Sequence, residues 1–129
     1  MEPHSYLIDT NAVIDYLGKK IPVNGMQFMN TVVDAIPNVS VITKIEVLGF
    51  NTTEHQFKIL TDFMDDAIVM DLTKEVADIC ILLRKKYKTK LPDAIIAATA
   101  LADNAILITR NINDFKNIIG LNVLDPHAL

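Results

Sequence analysis

The chain has 129 residues, of which half are hydrophobic and only four are glycine. This composition is enough for one substantial core and excludes a disordered protein. We therefore expect a single domain over residues 1–129. The lone cysteine, Cys80, excludes an internal disulfide, and no Cys/His cluster has zinc-ligand spacing. The formal net charge of −4 disfavours phosphate contacts on average, so nucleic-acid binding would require basic residues gathered in one place.

Short β-rich runs alternate along the chain with longer segments of helical period. The predicted strands are residues 6–8, 39–42, 67–70, 105–108 and 123–124. The predicted helices are residues 12–17, about 26–36, 44–50, 54–64, 74–87 and 93–102, with a short turn near 114–118. Residues 94–102 are apolar nearly all round, which is typical of a helix buried against a sheet.

Strands separated by helices indicate βαβ units. They predict an α/β fold of three layers, in which helices flank a mainly parallel, about five-stranded central sheet. In open sheets of this kind, sites form outside the carboxyl ends of the strands. Residues that carry chemistry should therefore stand just after a strand.

Four acidic residues satisfy this rule. Asp9 ends the first strand, and Glu46 lies one helical turn after the second. Asp93 opens the buried helix, and Asp114 follows the fourth strand. The predicted topology therefore brings four carboxylates to one edge of the sheet.

Carboxylates gathered at one edge repel each other and raise each other's pKa. A divalent cation removes that penalty, and hard oxygen ligands suit Mg²⁺ or Mn²⁺. A bound metal ion of this kind activates water and stabilises charge on a phosphoryl group and its leaving oxygen. Phosphodiester hydrolysis then needs no protein nucleophile.

Each acid alone also has a structural interpretation. Asp9 can cap the first helix, and Asp93 follows a proline in a common helix-start pattern. Glu46 can be a surface acid, and Asp114 can be a turn residue. The hypothesis of a metal site therefore depends on all four residues occurring together at strand ends.

PIN domains have successive signature segments, and this chain resembles them, in the family's order, at LIDTNAVIDYL, SVITKIEVLGF, LPDAIIAATAL and LITRNINDF. The resemblance extends from about Tyr6 to Asp125 and is closest to the VapC-type toxins, which are similar in length and arrangement. It implies a parallel sheet with helices on both sides, a Mg²⁺ or Mn²⁺ site, and endoribonuclease activity. Usual targets of the family are tRNA or ribosomal RNA, and a cognate antitoxin inhibits the toxin.

The resemblance assigns Asp9, Glu46 and Asp93 as the core catalytic and metal-binding acids. Asp114 is the fourth, although some PIN proteins place their fourth acid where Asn111 stands. These two residues are three apart, so both can face the site if that segment is helical. We favour Asp114 because only Asp114 contributes negative charge.

Supporting polar residues follow from the same resemblance. Thr10, Asn11 and Thr109, with Asn111, match positions that orient the acids or hold metal-bound water. Their structural alternative is local capping or turn bonding. Asp15, on the first helix, is expected to support the site at most indirectly.

Residues 84–90, which we call the basic segment, hold five of the twelve basic residues. Outside it, seven basic residues face sixteen acidic ones, so the rest of the chain carries a formal charge of −9. The segment ends three residues before Asp93, so it can guide RNA electrostatically, with Tyr87 available to stack a base. The alternative is a solvated helix end that meets the helix dipole. The candidate RNA contacts are Lys44, Arg84, Lys85, Lys86, Tyr87, Lys88, Lys90 and Arg110.

Two other enzyme or signalling classes fit the acidic pattern less well. A phosphatase of the haloacid-dehalogenase type requires a second acid where Asn11 stands. A phosphate-accepting signalling module usually has paired acids after the first strand, where this chain has only Asp9. The stronger alternative is a non-catalytic PIN fold that binds RNA or protein. Loss of a core acid would indicate such a module, and none of the three is missing.

Assembly and location follow from resemblance and apolar content. The family suggests a homodimer that binds an antitoxin, with apolar positions among residues 26–29 or 50–63 at an interface. The first residues lack the basic region followed by an apolar stretch of a secretory signal. No apolar run approaches the roughly 20 residues that cross a bilayer, so we expect a cytoplasmic protein without membrane contact.

Overall fold

The computed structural model describes residues 5–129. Residues 1–4, part of the N-terminal segment in which we expect no secretory signal, lie outside it. Five strands, β1 to β5, span Tyr6–Ile8, Asn38–Ser40, Ile68–Met70, Ile106–Ile108 and Val123–Leu124. They form one sheet in the order β3-β2-β1-β4-β5, and each neighbouring pair is parallel. The prediction of a mainly parallel, five-stranded sheet is confirmed.

Seven α-helices connect the strands. They are α1 Thr10–Leu17, α2 Val23–Asp34, α3 Val41–Leu48, α4 Glu54–Asp66, α5 Lys74–Lys86, α6 Leu91–Ala102 and α7 Ile112–Phe115, and a 3₁₀ turn follows at Pro126–Ala128. As predicted, α6 is buried nearly all round, from Ala94 to Ala100. None of the helices within residues 5–129 is long and apolar enough to cross a membrane.

Two hydrophobic cores lie on opposite faces of the sheet. Successive side chains of a strand point to opposite faces. Accordingly, Leu7 and Leu107 join one core with α5 and α6, whereas Ile8 and Ile108 join the other core with residues of α1 to α4. The three-layer architecture is therefore confirmed.

The second strand was predicted to end two residues too late. β2 ends at Ser40, and the β-branched residues that follow begin α3. The reason is a helix cap, because the Ser40 hydroxyl accepts a hydrogen bond from the Ile42 amide at 3.1 Å. The helix predicted from residue 44 therefore starts at Val41, which brings Thr43 onto the same helix as Glu46.

Several other helix boundaries also shift. α1 begins at Thr10 rather than residue 12, and α2 at Val23 rather than about residue 26. α6 begins at Leu91, so Asp93 lies in its first turn instead of opening it. The short helix after β4 is Ile112–Phe115, earlier than the turn predicted near residues 114–118.

Candidate active site

The four acids lie at the carboxyl edge of the sheet. Asp9 directly follows β1, the central strand, while Glu46 belongs to α3 after β2 and Asp114 to α7 after β4. Asp93 lies in the first turn of α6, the helix that leads into β4. Because α6 ends where β4 begins, its first turn lies at the carboxyl edge of the sheet.

Asp9 is buried and held by three hydrogen bonds, with only 4% of its surface exposed. Its Oδ1 accepts from the Thr10 amide at 2.8 Å and caps α1. Its Oδ2 accepts from Asn11 Nδ2 at 3.0 Å and from the Thr109 hydroxyl at 2.8 Å. Burial raises the pKa of the Asp9 carboxyl above its usual value, the hydrogen bonds oppose that shift, and the charge of Glu46 adds to it.

The Glu46 carboxylate is linked to α1 through the hydroxyl group of Thr10. Its Oε1 accepts a hydrogen bond from the Thr10 hydroxyl at 2.7 Å. That hydroxyl also lies 3.1 Å from the hydroxyl of Thr43, which is fully buried. Thr10 therefore joins the helix after β1 to the helix after β2 and orients the Glu46 carboxylate.

Asp93 is half-buried, and its pKa is raised. Burial contributes most, followed by the charges of Asp9, Asp114 and Glu46, whereas Lys90 lowers the pKa. Coulombic effects of this kind act over short distances in a partly buried site. The other three acids therefore lie near enough to Asp93 for their charges to raise its pKa.

The segment after β4 brings both candidates for the fourth position near the site. Thr109 is buried, and its hydroxyl accepts a hydrogen bond from the Asn111 amide at 3.0 Å. Asn111 then forms the N-cap of α7, and its side chain makes no capping bond. Asp114, one turn later, is exposed and acts electrostatically on Asp93.

Asn11 links this segment to α1. Its Oδ1 accepts from the Arg110 amide at 3.0 Å, while its Nδ2 donates to Asp9 and lies 3.4 Å from the Thr109 hydroxyl. Asn11 and Thr109 thus tie the ends of β1 and β4 together around the Asp9 carboxylate. Their hydrogen bonds hold the Asp9 carboxylate in one orientation.

A polar cleft of about 340 Å³ extends from Asp93 and Asp114 to the end of the basic segment. Lys88 and Lys90 line it together with these acids. The end of the basic segment therefore borders the same cleft as Asp93 and Asp114.

Other candidate RNA contacts have structural partners. The Tyr87 hydroxyl accepts from the Ile119 amide at 3.1 Å, and the Lys86 ammonium lies 5.6 Å from the centre of its ring. Arg84 Nη1 donates to the Thr89 carbonyl at 2.6 Å. These contacts stabilise the α5–α6 connection, and they leave less of the Tyr87 ring for stacking. Lys44 and Lys85 are exposed.

Arg110 is paired with Asp15, which is buried. Arg110 Nη1 lies 2.9 Å from Asp15 Oδ2, and His127 Nε2 lies 3.1 Å from the same oxygen. A hydrogen bond to a charged partner contributes on the order of 1 kcal/mol even after solvent screening of the half-exposed arginine. Binding of a phosphate by Arg110 therefore has to compete with Asp15.

Sequence reasoning missed three residues of this region. Thr43 supports the site through its contact with Thr10, and Asn113 and Asn117 line the cleft. Thr43 carried a usable signal, because it stands one helical turn before Glu46. The two asparagines carried none, because their neighbours in the cleft are distant in sequence.

The donor chemistry of this edge fits a hydrated divalent cation. Within residues 5–129, no three His, Cys, Asp or Glu side chains are arranged to hold a metal ion. Mg²⁺ binds through one or two carboxylates and keeps several waters, so it needs no closed protein cage. Burial and the neighbouring acids raise the pKa of Asp9 and Asp93, and a bound cation would favour the ionised form of each. Carboxylate oxygens are also the donors that such an ion prefers.

Comparison with known proteins identifies the family. Residues 6–121 match the PIN domain. No protein of curated function matches the chain significantly. A chain of a toxin–antitoxin complex from Klebsiella pneumoniae is 34% identical, with a TM-score of 0.74, over 95% of this chain and 98% of that one.

Two further structures share the fold. A chain of DNA-bound VapBC from Salmonella typhimurium has a TM-score of 0.80 at 22% identity, covering 96% of this chain and 99% of its own length. A chain of VapBC2 from Rickettsia felis, bound to a promoter DNA fragment, has a TM-score of 0.77 at 23% identity, covering 92% and 96%. The domain match over most of the chain, together with the Klebsiella relative, shows that this chain belongs to the PIN domain family.

Proposed function

We propose that this chain is a Mg²⁺- or Mn²⁺-dependent endoribonuclease and the toxin of a type II toxin–antitoxin pair. The observation that carries the proposal is that Asp9, Glu46 and Asp114 each follow a strand at the carboxyl edge of the sheet, where the first turn of α6 also places Asp93. PIN domains of the VapC group are generally nucleases, which supports the same activity. RNA as the substrate, with tRNA or ribosomal RNA as the expected class, follows from the family resemblance.

In this proposal the four acids hold the cation and the polar residues set their positions. Thr109 and Asn11 fix the Asp9 carboxylate, and Thr10 fixes Glu46. When bound, the metal ion would supply Lewis-acid activation of water and stabilise charge on the scissile phosphate. The chain itself keeps two carboxylates partly desolvated, which strengthens their attraction for a cation.

Lys88 and Lys90 are placed to counter the repulsion between the acidic site and RNA. They line the same cleft as Asp93 and Asp114, so a strand in the cleft would meet positive charge beside the acidic site. The exposed residues Arg84, Lys85 and Lys86 extend this positive charge along the end of α5. The basic segment therefore guides the strand, and the acids cleave it.

We further propose an antitoxin partner and a homodimer. The Klebsiella relative comes from a toxin–antitoxin complex, which supports the antitoxin. Phe50 and Phe57 are 63% and 44% exposed and line one shallow groove at the junction of α3 and α4. Large exposed apolar side chains of this kind are available to a protein interface. Met29, by contrast, is fully buried and belongs to the core.

A second candidate is a PIN fold that binds RNA or protein without cleaving it. The absence of a three-ligand arrangement among the His, Cys, Asp and Glu side chains of residues 5–129 favours it. The two candidates differ in one outcome, since only the nuclease loses RNA cleavage when a core acid is neutralised.

Cleavage of single-stranded RNA in Mg²⁺ or Mn²⁺ by purified variants tests the proposal. Asp9→Asn and Asp93→Asn should each lower the rate at least about a hundredfold, since a metal ligand supplies several kcal/mol of charge stabilisation. Asp65→Asn, an exposed acid of α4, is the matched control and should cleave normally. Equal cleavage by all four proteins would reject the acidic site, and no cleavage by the folded wild type would favour the binding module.

A further inference from the structure

The cleft beside the acids has a wall that the proposed chemistry does not use. One wall comes from the connection between α5 and α6, with Lys88 and Lys90, and another from α7 and the turn after it. The latter presents Asn113 and Asn117. The cleft of about 340 Å³ lies at the lower end of the range for small-ligand pockets, roughly 300–1,000 Å³.

The two asparagines lie on neighbouring elements of this segment. Asn113 belongs to α7 and Asn117 to the turn after it, and both line the cleft. Both are exposed, and neither side-chain amide has a hydrogen-bond partner within the part of the chain that the structure describes. Each offers two donors and an acceptor to whatever occupies the cleft.

The chemistry of the walls separates two parts of a nucleotide. Ammonium groups such as those of Lys88 and Lys90 attract phosphate, without regard to base. Amides pair with donor and acceptor groups on the edge of a base, and single-stranded RNA exposes those edges. Asp93 and Asp114 close the cleft at the end where the proposed cleavage occurs.

We propose that this cleft is a base-reading subsite for the nucleotide next to the scissile phosphate. Asn113 and Asn117 contact the edge of its base, while Lys88 and Lys90 contact its phosphate. The subsite rests on the proposed RNA substrate. It makes the two asparagines determinants of sequence preference, distinct from the acids that carry out cleavage.

The hydrogen bond from the Ile119 amide to the Tyr87 hydroxyl joins the α5–α6 connection to the segment after α7 at 3.1 Å. Tyr87 and Ile118 also line the cleft. The asparagine amides discriminate between bases because only a matching base edge pairs its donors and acceptors with theirs. This geometry also gives Tyr87 a role without base stacking.

Binding of short RNA to the full chain tests the subsite. The probes are fluorescent RNA hexamers, one of uridine only and three that alternate uridine with A, C or G, measured by anisotropy in EDTA so that no strand is cut. Wild type should prefer one probe. Asn113→Ala/Asn117→Ala should weaken that probe at least about fivefold and leave the others nearly unchanged. Asn122→Ala is the matched control, because Asn122 lies just before β5, at the amino ends of the strands and not at their carboxyl ends.

A second pair separates phosphate contacts from base reading. Lys88→Ala/Lys90→Ala should weaken all four hexamers alike and make binding less dependent on salt. Equal affinity of wild type for all hexamers, no binding, or full discrimination by the asparagine variant would each overturn the subsite. Discriminating binding without cleavage in Mn²⁺ would instead reject the nuclease and keep the subsite. Cleavage without discrimination would do the reverse.

Discussion

Asp9 uses its two carboxylate oxygens for different purposes. Oδ1 caps α1 through the Thr10 amide, and Oδ2 accepts from Asn11 and Thr109. An ionised carboxylate has about four acceptor positions, so three hydrogen bonds leave one for a cation. The structural and functional interpretations of Asp9 are therefore compatible, since the bonds that cap the helix also orient the ligand.

Asp93 offers a test of the repulsion between the acids. Because the pKa of Asp93 is raised in the folded chain, its carboxyl group stabilises the fold below its ordinary pKa of 3.8. This stabilisation is lost as the pH rises through the higher pKa of the folded chain. In EDTA, Asp93→Asn should therefore melt at a higher temperature than wild type at pH 7. The difference should shrink as pH falls towards 4.

Circular dichroism during heating measures this difference, with Asp65→Asn as the control of equal charge change. Mg²⁺ should reduce the advantage of Asp93→Asn, because the cation relieves the same repulsion in wild type. A variant that is less stable than wild type at pH 7 in EDTA would contradict the repulsion.

The fourth acidic position distinguishes two neighbouring residues. Asp114 carries charge and lines the cleft with Asp93. Asn111 is neutral, and its backbone amide donates a hydrogen bond to the Thr109 hydroxyl. Asp114→Asn should weaken Mn²⁺ binding about tenfold, and Asn111→Ala should weaken it less. Calorimetric titration measures both constants. The opposite order would assign the fourth position to Asn111.

At the scale of the elements, the order and type of strands and helices could be predicted because hydrophobic periodicity and strand-end chemistry agree. The end of β2 could not. Val41, Ile42 and Thr43 are β-branched and fit a strand as well as the first turn of a helix. The Ser40 cap decided the outcome, and such a cap depends on backbone geometry at a single residue.

The acids could be predicted from their positions after strands, but their supports could not. Arg110 and His127 meet Asp15 across 95 and 112 residues of sequence. No local pattern encodes a contact at that separation. The cleft with Asn113 and Asn117 likewise exists only once α7 and the α5–α6 connection are folded side by side.

The whole molecule separates its charges. An acidic body carries one basic segment, and the end of that segment borders the acidic site across a single cleft. In the proposed nuclease, electrostatic attraction of RNA would be directed to the place where the cation would bind. The net charge of −4 is compatible with this proposal because the distribution of charge, and not its sum, would control the approach of RNA.

Assembly is the prediction at this scale. Phe50 and Phe57 are exposed in the monomer. A dimer or an antitoxin complex would bury part of their apolar surface away from water. The chain without a partner should therefore scatter light as a dimer at micromolar concentration. Phe50→Ser/Phe57→Ser then reports whether this groove is the interface, with Ile81→Ser on α5 as an exposed apolar control. A monomeric mass throughout the micromolar range would contradict the homodimer.

The central claim is that these carboxylates perform RNA cleavage only with a divalent cation. Its most direct test is the rate of RNA cleavage by EDTA-treated protein as Mn²⁺ is added back. We predict no cleavage in EDTA, recovery that saturates with Mn²⁺, and no recovery for Asp9→Asn. Cleavage at the full rate in excess EDTA would contradict the account, as would recovery by Asp9→Asn equal to that of wild type.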